Sequence, residues 1–210
     1  MSMSTNPPAE GGHRWFAATY DLVTKPGEKK LGRLRKQLLA SLHGDTVEIG
    51  AGTGANFEHY PPGGRVVAFE PDPHMLKRAQ ARLADLGRED IDVRQAAAES
   101  LPIDDASCDV VVSTLVLCTV RDVARTLGEI RRVLRPGGEL RFIEHVRGEG
   151  ALGRGQDLVQ PAWGWCAAGC HMNRRTEDAL RDAGFDIAEL EHKKMAPWMP
   201  AIVGSAHVRG

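Results

Sequence analysis

This chain of 210 residues has few aromatic side chains, almost no net charge and no long apolar run. Aromatic residues make up 5% of it, and 27 Lys and Arg residues face 28 Asp and Glu residues, for a formal net charge of −1. A chain that binds nucleic acid or anionic lipid usually has a basic surface, which this composition does not supply. The longest apolar stretch, near residues 163–170, falls well short of the roughly 20 residues that span a bilayer. We therefore expect no nucleic-acid partner and no membrane anchor, and we favour a protein that acts on a small molecule.

Cysteine is also sparse. Cys108, Cys118, Cys166 and Cys170 are the four cysteines; they are too few for a disulfide scaffold, and no secretory signal precedes them. We therefore expect a cytoplasmic protein. Cys166, Cys170 and the adjacent His171 have a spacing that suggests a metal site, but no second pair completes the four ligands of a structural zinc site. The sequence thus predicts no bound metal.

Hydrophobic residues make up 42% of the chain and follow an alternating strand and helix pattern. Short, continuously apolar strands alternate with amphipathic helices, which is typical of a parallel sheet covered on both faces. Two closing strands with no clear helix between them predict a terminal antiparallel pair. We expect an α/β, Rossmann-like, seven-stranded, mainly parallel sheet in a single domain over 14–210, after a disordered leader over 1–13. The predicted strands are 46–49, 65–70, 92–95, 109–114, 139–145, 185–193 and 202–208, and the predicted helices are 28–42, 75–87, 123–134 and 176–183.

Residues 147–175 interrupt this pattern with an irregular segment rich in Gly, Trp and Cys. The segment leaves from the carboxyl end of a strand, where open α/β sheets bind their ligands. We interpret it as an insertion that covers the substrate site.

A glycine-rich turn, Gly50-Ala51-Gly52-Thr53-Gly54, follows the first strand. Glycines permit positive φ and let a ligand approach the backbone closely, although a plain tight turn has the same composition. Glu70 ends the next strand, where a carboxylate can accept hydrogen bonds from both hydroxyls of a ribose. These features fit any adenosine-bearing cofactor, so NAD and S-adenosylmethionine both stay open at this point.

Four segments in order resemble the class I S-adenosylmethionine-dependent methyltransferases, in particular their ubiquinone/menaquinone-type small-molecule branch. They are 50–54, 70–72, 98–102 and 132–138. The resemblance implies that Glu70 holds the ribose and that Thr114 and Leu115 lie near the sulfonium. Where the family often has a polar residue that meets the adenine, this chain has Ala97. The other cofactor-binding residues implied are Glu48, Gly50, Ala51, Gly52 and Gly54 around the methionine moiety, and Pro71, Met75, Ala98 and Glu99 around the adenine.

A narrower resemblance, to the animal microsomal alkyl-thiol methyltransferases, covers segments outside the cofactor motifs. These segments are Asn56, 60–63, 114–118, 144–146, 161–163 and 169–170. The membrane anchor of that family is not expected here. Candidate substrate contacts are Cys118, which lies just past a strand end, and Trp163, Cys170 and His171 in the insertion, with ordinary packing as the alternative.

His145 is the candidate general base, because it ends the strand beside the one that carries Thr114 and because a histidine titrates near neutrality. A supporting role through hydrogen bonds is the alternative for this histidine. Tyr20 and Asp21, which precede the first helix, are candidate catalytic residues that would close over the site.

We therefore expect methyl transfer from S-adenosylmethionine to a small molecule, with S-adenosylhomocysteine as product. A lipophilic thiol is the favoured acceptor, because a thiolate is strongly nucleophilic and a few per cent of a thiol is ionised at neutral pH. O- or C-methylation of a phenol or quinone is the alternative. A nicotinamide-dependent oxidoreductase and a non-enzymatic cofactor-binding module are outside alternatives.

Overall fold

The computed structural model describes residues 29–167 and 169–209, and the side chain of Cys166 is not described. Within these ranges the chain forms a seven-stranded sheet in the order β3-β2-β1-β4-β5-β7-β6. The strands are β1 (Thr46–Ile49), β2 (Val66–Phe69), β3 (Ile91–Arg94), β4 (Cys108–Thr114), β5 (Leu134–His145), β6 (Phe185–Ala196) and β7 (Met199–Val208). The predicted leader and the candidate residues Tyr20 and Asp21 lie outside the described residues.

The pairing confirms the expected fold class. Strands β1 to β5 pair in parallel, whereas β7 pairs antiparallel with both β5 and β6. The helices are α1 (residues 29–39 as described), α2 (Pro73–Leu86), α3 (Val123–Val133), α4 (Gly150–Cys166) and α5 (Thr176–Asp182), with a short 3-10 helix at Phe57–His59.

Apolar cores cover both faces of the sheet, because successive side chains of a strand point to opposite faces. On β4, Val111 packs in the core that contains Leu127 and Ile130 of α3. Its neighbours Val110 and Val112 pack in the opposite core, which contains Ala79 of α2 and residues of α1. The unbroken apolar run in this strand is therefore buried on both sides, as expected.

The prediction of an irregular insertion was wrong over much of its length, because Gly150–Cys166 is helical. The helix has no apolar stripe for a periodicity search to find: Leu158 and Trp165 on it are 82% and 81% exposed. It also contains Pro161 and four glycines, which are poor helix formers.

Residues outside α4 contact this helix and hold it in place, and a backbone hydrogen bond joins the two ends of the insertion. The side chain of Gln156 accepts a hydrogen bond from the Gly148 N–H at 2.6 Å, and Asp157 forms an ion pair with Arg147. The two ends of the insertion meet where the Arg147 N–H donates to the Arg174 carbonyl at 2.9 Å. Among the described residues, none of the helices has the length and apolar character that crossing a membrane requires.

The helix predicted over 123–134 is confirmed as α3, which ends at Val133, and β5 begins with the next residue. The strand therefore begins earlier than the predicted 139–145. Leu134 pairs with Cys108 of β4 before the register shifts, and regular pairing resumes from Glu139. The proline and glycines of this segment lie at the irregular start of a strand, where a missing ladder bond is tolerated.

Two glycine substitutions test the packing of the sheet. A Cβ at Gly204 of β7 would lie 2.0 Å from the Glu189 carbonyl oxygen, whereas a Cβ at Gly128 of α3 would meet nothing within 4 Å. We expect Gly204→Ala to lower the free energy of unfolding by about 3 kcal/mol or more. Gly128→Ala should raise it by about 0.5–1 kcal/mol, because alanine favours the helix. Urea unfolding of both variants checks this, and equal effects would contradict it.

Candidate active site

The glycine turn after β1 lies against the loop that follows β4. Gly50 has a φ of +58°, and a Cβ there would be 2.6 Å from a methyl carbon of Val116. Gly52, with a φ of +59°, has nothing within 4 Å of the corresponding Cβ position. Gly50 is therefore required for packing, whereas Gly52 leaves open space above the backbone that a ligand can enter.

Glu70, directly after β2, connects the glycine turn to the next loop. One oxygen of its buried carboxylate accepts a hydrogen bond from the Gly52 N–H at 2.8 Å, and the other accepts from the Asp72 N–H at 2.8 Å. Burial raises the pKa of this carboxyl above its ordinary value. Each oxygen keeps a second lone pair, so the group can accept further hydrogen bonds.

Glu48 of β1 is held by two side chains for which the sequence indicated no role. Its buried carboxylate accepts hydrogen bonds from Asn56 Nδ2 at 2.8 Å and from the Tyr60 hydroxyl at 2.9 Å. Burial raises the pKa of Glu48 to about 7. Asn56 Nδ2 also donates to Thr114 Oγ1 at 3.1 Å, and Asn56 Oδ1 is buried without a partner among the described residues. These contacts join the carboxyl ends of β1 and β4.

Glu144 of β5 is a third buried carboxylate at this edge of the sheet, and the sequence analysis assigned it no role. It accepts hydrogen bonds from the Ser113 hydroxyl at 2.7 Å and from the N–H groups of Val116, Leu117 and Cys118 at 3.0–3.2 Å. Burial raises the pKa of this carboxyl above its ordinary value. The sequence did contain a signal, because Glu144 directly follows the apolar run of β5. A carboxylate buried at such a position needs several hydrogen-bond donors around it.

The loop that Glu144 holds contains a strained residue. Leu115 has a φ of +60°, a region that few side chains other than glycine adopt and that is often found at functional sites. Its N–H donates to the Ile143 carbonyl at 2.7 Å. The loop therefore turns sharply at the end of β4 and passes directly from the candidate cofactor residues Thr114 and Leu115 to Cys118.

Three candidate residues from distant parts of the chain meet beside this loop. The Sγ atoms of Cys118 and Cys170 are 3.7 Å apart, and the Cys170 Sγ lies 3.9 Å from His145 Nδ1. All three side chains are buried. The hydrogen bond with the Cys118 thiol and the nearby His145 ring lower the pKa of Cys170, whereas the same thiol contact and burial raise the pKa of Cys118.

Helix α4 and the segment after it cover this cluster. Gln160 of α4 donates to the Cys170 carbonyl at 3.0 Å, and the His171 N–H donates to the Cys118 carbonyl at 2.7 Å. The rings of Trp163 and Trp198 pack edge to face with their centroids 5.4 Å apart. Burial lowers the pKa of the half-buried His171 ring.

The remaining candidate residues lie along the edge of the sheet between β2 and α3. Met75 and Ala98 are buried, whereas Pro71 and Ala97 are exposed. The Glu99 carboxylate accepts a hydrogen bond from the Arg121 N–H at 2.9 Å, next to the beginning of α3. The candidate residues that the structure describes thus lie in two groups at one edge of the sheet, one at the glycine turn and one at the Cys118, His145 and Cys170 cluster.

The chain is similar to known proteins over most of its length. A family model described as a methyltransferase domain matches residues 47–142. Human thiol S-methyltransferase TMT1B is 36% identical over 91% of this chain and 85% of its own. Human thiol S-methyltransferase TMT1A is 42% identical over 70% of this chain and 62% of its own. The ubiquinone/menaquinone biosynthesis C-methyltransferase UbiE of Hahella chejuensis is 35% identical over 61% of this chain and 55% of its own.

Solved structures support the fold. A SAM-dependent methyltransferase from Thermotoga maritima superposes with a TM-score of 0.67 at 24% identity, over 91% of this chain and 97% of its own. A SAM-dependent methyltransferase from Aquifex aeolicus gives a TM-score of 0.66 at 17% identity, over 93% and 99% of the two chains.

The raised pKa of Glu48 predicts how stability depends on pH. Between its ordinary pKa of 4.5 and about 7, the folded chain keeps a proton that the unfolded chain has released. Stability therefore falls as the pH rises through this interval, by up to about 3 kcal/mol in total. In Glu48→Gln this contribution is absent. The free energy of unfolding of the variant should therefore rise relative to that of the original chain between pH 5 and pH 8.

Urea unfolding of both proteins at several pH values measures the difference. Glu58→Gln, which removes an exposed carboxylate paired with Arg82, is the matched control and should not change the slope. A slope unchanged in Glu48→Gln would contradict the prediction.

Proposed function

The chain belongs to the methyltransferase domain family and is an S-adenosylmethionine-dependent methyltransferase, and from this premise we propose that it methylates the sulfur of a small apolar thiol. Family membership decides between the two adenosine-bearing cofactors that the sequence left open. When bound, S-adenosylmethionine supplies a methyl group that its sulfonium makes electrophilic. S-adenosylhomocysteine is the product that remains.

The residues at the glycine turn fit this cofactor. Gly52 leaves open space above the backbone, and the carboxylate of Glu70 lies beside it with lone pairs left for hydroxyl donors. The buried Asn56 Oδ1 has no partner among the described residues, so it is an acceptor in need of a donor such as an ammonium group. We propose that Glu70 holds the ribose and that the turn and Asn56 face the methionine moiety.

The acceptor side is built from sulfur, imidazole and apolar surface. Cys118, His145 and Cys170 meet at the carboxyl ends of β4 and β5, two strands from Glu70. Beside them, Trp163 and Trp198 supply an apolar wall that suits a lipophilic acceptor better than a charged one. In this proposal the insertion over 147–175 covers the acceptor and excludes water.

The observation that carries the proposal is the similarity to relatives named as thiol S-methyltransferases, which reaches over most of the chain. A thiol also suits the chemistry, since methyl transfer needs alignment of two reactants and exclusion of water rather than a strong base. The proton of the acceptor thiol has to leave, and His145, the proton acceptor predicted from the sequence, stands in the cluster. A cytoplasmic location, where thiols stay reduced, belongs to the same proposal.

The assignment of Glu70 predicts a loss of cofactor affinity. If its carboxylate accepts both ribose hydroxyls, Glu70→Ala removes two charge-assisted hydrogen bonds, each worth about 1.5–3 kcal/mol at most. The affinity for S-adenosylhomocysteine, measured by calorimetry, should fall at least about tenfold. Asp92→Ala, which removes an exposed carboxylate on β3, is the control and should bind normally. Unchanged binding by a folded Glu70→Ala would remove Glu70 from the site.

The acceptor class is tested with a substrate panel. Alkyl thiols, aryl thiols, phenols and hydroquinones are incubated with the protein and S-adenosylmethionine, and methylated products are identified by mass spectrometry. We expect methyl thioethers from the apolar thiols and little product from charged thiols of similar size. The phenols and hydroquinones are the informative comparison, because one relative is named as a C-methyltransferase. Methylation of phenols or hydroquinones with none of any thiol would refute the proposal.

A further inference from the structure

We propose that Cys118, His145 and Cys170 bind a zinc ion whose fourth position takes the sulfur of the acceptor thiol. The proposal rests on the proposed thiol acceptor and deepens it. The sequence predicted no metal because it offered only Cys166, Cys170 and His171 as neighbours. In the fold, Cys170 instead meets ligands from the loop after β4 and from the end of β5.

The distances fit a tetrahedral ion. Ligand bonds of about 2.3 Å for sulfur and 2.0–2.1 Å for nitrogen place two sulfurs about 3.8 Å apart, and a sulfur about 3.6 Å from a nitrogen, around tetrahedral zinc. The observed separations are 3.7 Å between the Cys118 and Cys170 sulfurs and 3.9 Å from the Cys170 sulfur to His145 Nδ1. All three ligand atoms lie within 4.8 Å of one another. A zinc ion therefore needs only a small adjustment of side chains.

The chemistry of the donors selects the same ion. Thiolate and imidazole ligands in a tetrahedral arrangement are typical of zinc, and three-ligand Cys2His sets occur at catalytic zinc sites that keep an open position. Two thiolates would balance the charge of the ion within a buried site. The protein supplies little else for this ring: Nδ1 contacts the Cys170 sulfur, and Nε2 is buried with no partner among the described residues.

The site is adjacent to the proposed methyl donor. Val116, which contacts Gly50 of the glycine turn, is two residues from Cys118, and one carboxylate, Glu144, accepts hydrogen bonds from both of their N–H groups. The same group therefore fixes a ligand sulfur relative to the cofactor turn.

Each atom of the reaction is accounted for. In this arrangement His145 is a ligand and does not act as the general base predicted from the sequence. The acceptor thiol loses its proton to solvent as its sulfur binds the ion, because coordination stabilises the thiolate. That sulfur forms a bond to the methyl carbon while the bond between the methyl carbon and the sulfonium breaks. The bonding electron pair stays on the donor sulfur, which becomes the neutral thioether of S-adenosylhomocysteine. Zinc keeps its charge throughout, and the methyl thioether then leaves as a weaker ligand.

Metal binding is tested first, on the full chain in reducing, anaerobic buffer. Zinc content after dialysis is measured by mass spectrometry of the metal, and affinity by competition with a chromophoric chelator. We expect about one zinc per chain, with affinity at least about 100-fold lower in Cys118→Ser and Cys170→Ser, since even partners outside the ligand set often change affinity 10–100-fold. Cys108→Ser is the matched control: its buried thiol donates to the Val133 carbonyl, outside the cluster, and should leave binding unchanged.

Cobalt substitution gives a readout that does not depend on activity. Cobalt-loaded protein should show thiolate-to-cobalt absorption and the intense visible bands of a tetrahedral site, and an added alkyl thiol should change these bands. Stabilisation by S-adenosylhomocysteine confirms that each variant is folded. Less than about a tenth of an equivalent of zinc, or equal binding by all variants, would overturn the proposal. So would a Cys118–Cys170 disulfide formed in air by a chain that binds no metal when reduced.

Activity separates this proposal from the proposed function. Removal of zinc should reduce thiol methylation at least about tenfold, and added zinc should restore it. Full thiol methylation by metal-free protein would refute the zinc site and leave the thiol acceptor standing. A zinc-loaded protein that methylates no thiol would refute the acceptor class and the role of the open position, although the ion would still be bound.

Discussion

The carboxylate of Glu144 is the interaction on which the geometry of this site depends. It is fully buried and accepts hydrogen bonds from three successive backbone N–H groups and from one hydroxyl. Without it, the loop after β4 would carry three buried donors with no partner, at a cost of about 1–3 kcal/mol each. The positive φ of Leu115 persists because the surrounding contacts leave the loop no alternative.

Three buried carboxylates in fact organise this edge of the sheet. Glu48 joins β1 to β4 through Asn56, Glu70 joins the glycine turn to the loop after β2, and Glu144 joins β5 to the loop after β4. Burial raises the pKa of each, so each costs stability that the apolar cores on both faces offset. This loss of stability arises where strands end and ligands bind, which is consistent with polar groups that are retained for a function.

Sequence reasoning succeeded where the information is local. Strand β4 was predictable because Val110, Val111 and Val112 are apolar without interruption, and the glycine turn was predictable because its spacing reflects backbone geometry. Helix α4 was missed because Leu158 and Trp165 face outward, so no amphipathic period exists. The contact of Cys118 with Cys170 could not be predicted from the sequence. The two thiols are 52 residues apart in the chain, and only the fold of the insertion brings them together.

The hydrogen bond that closes the base of the insertion has an evolutionary consequence. Because the Arg147 N–H meets the Arg174 carbonyl, the 147–175 segment leaves the sheet and returns to almost the same point. The entropy of closing such a loop depends only weakly on its length. Residues can therefore be added, removed or exchanged within it while β5, β7 and the glycine turn keep their positions. Descendants of one ancestral gene can thus acquire new acceptors through changes in this insertion alone, while the cofactor-binding residues are inherited unchanged.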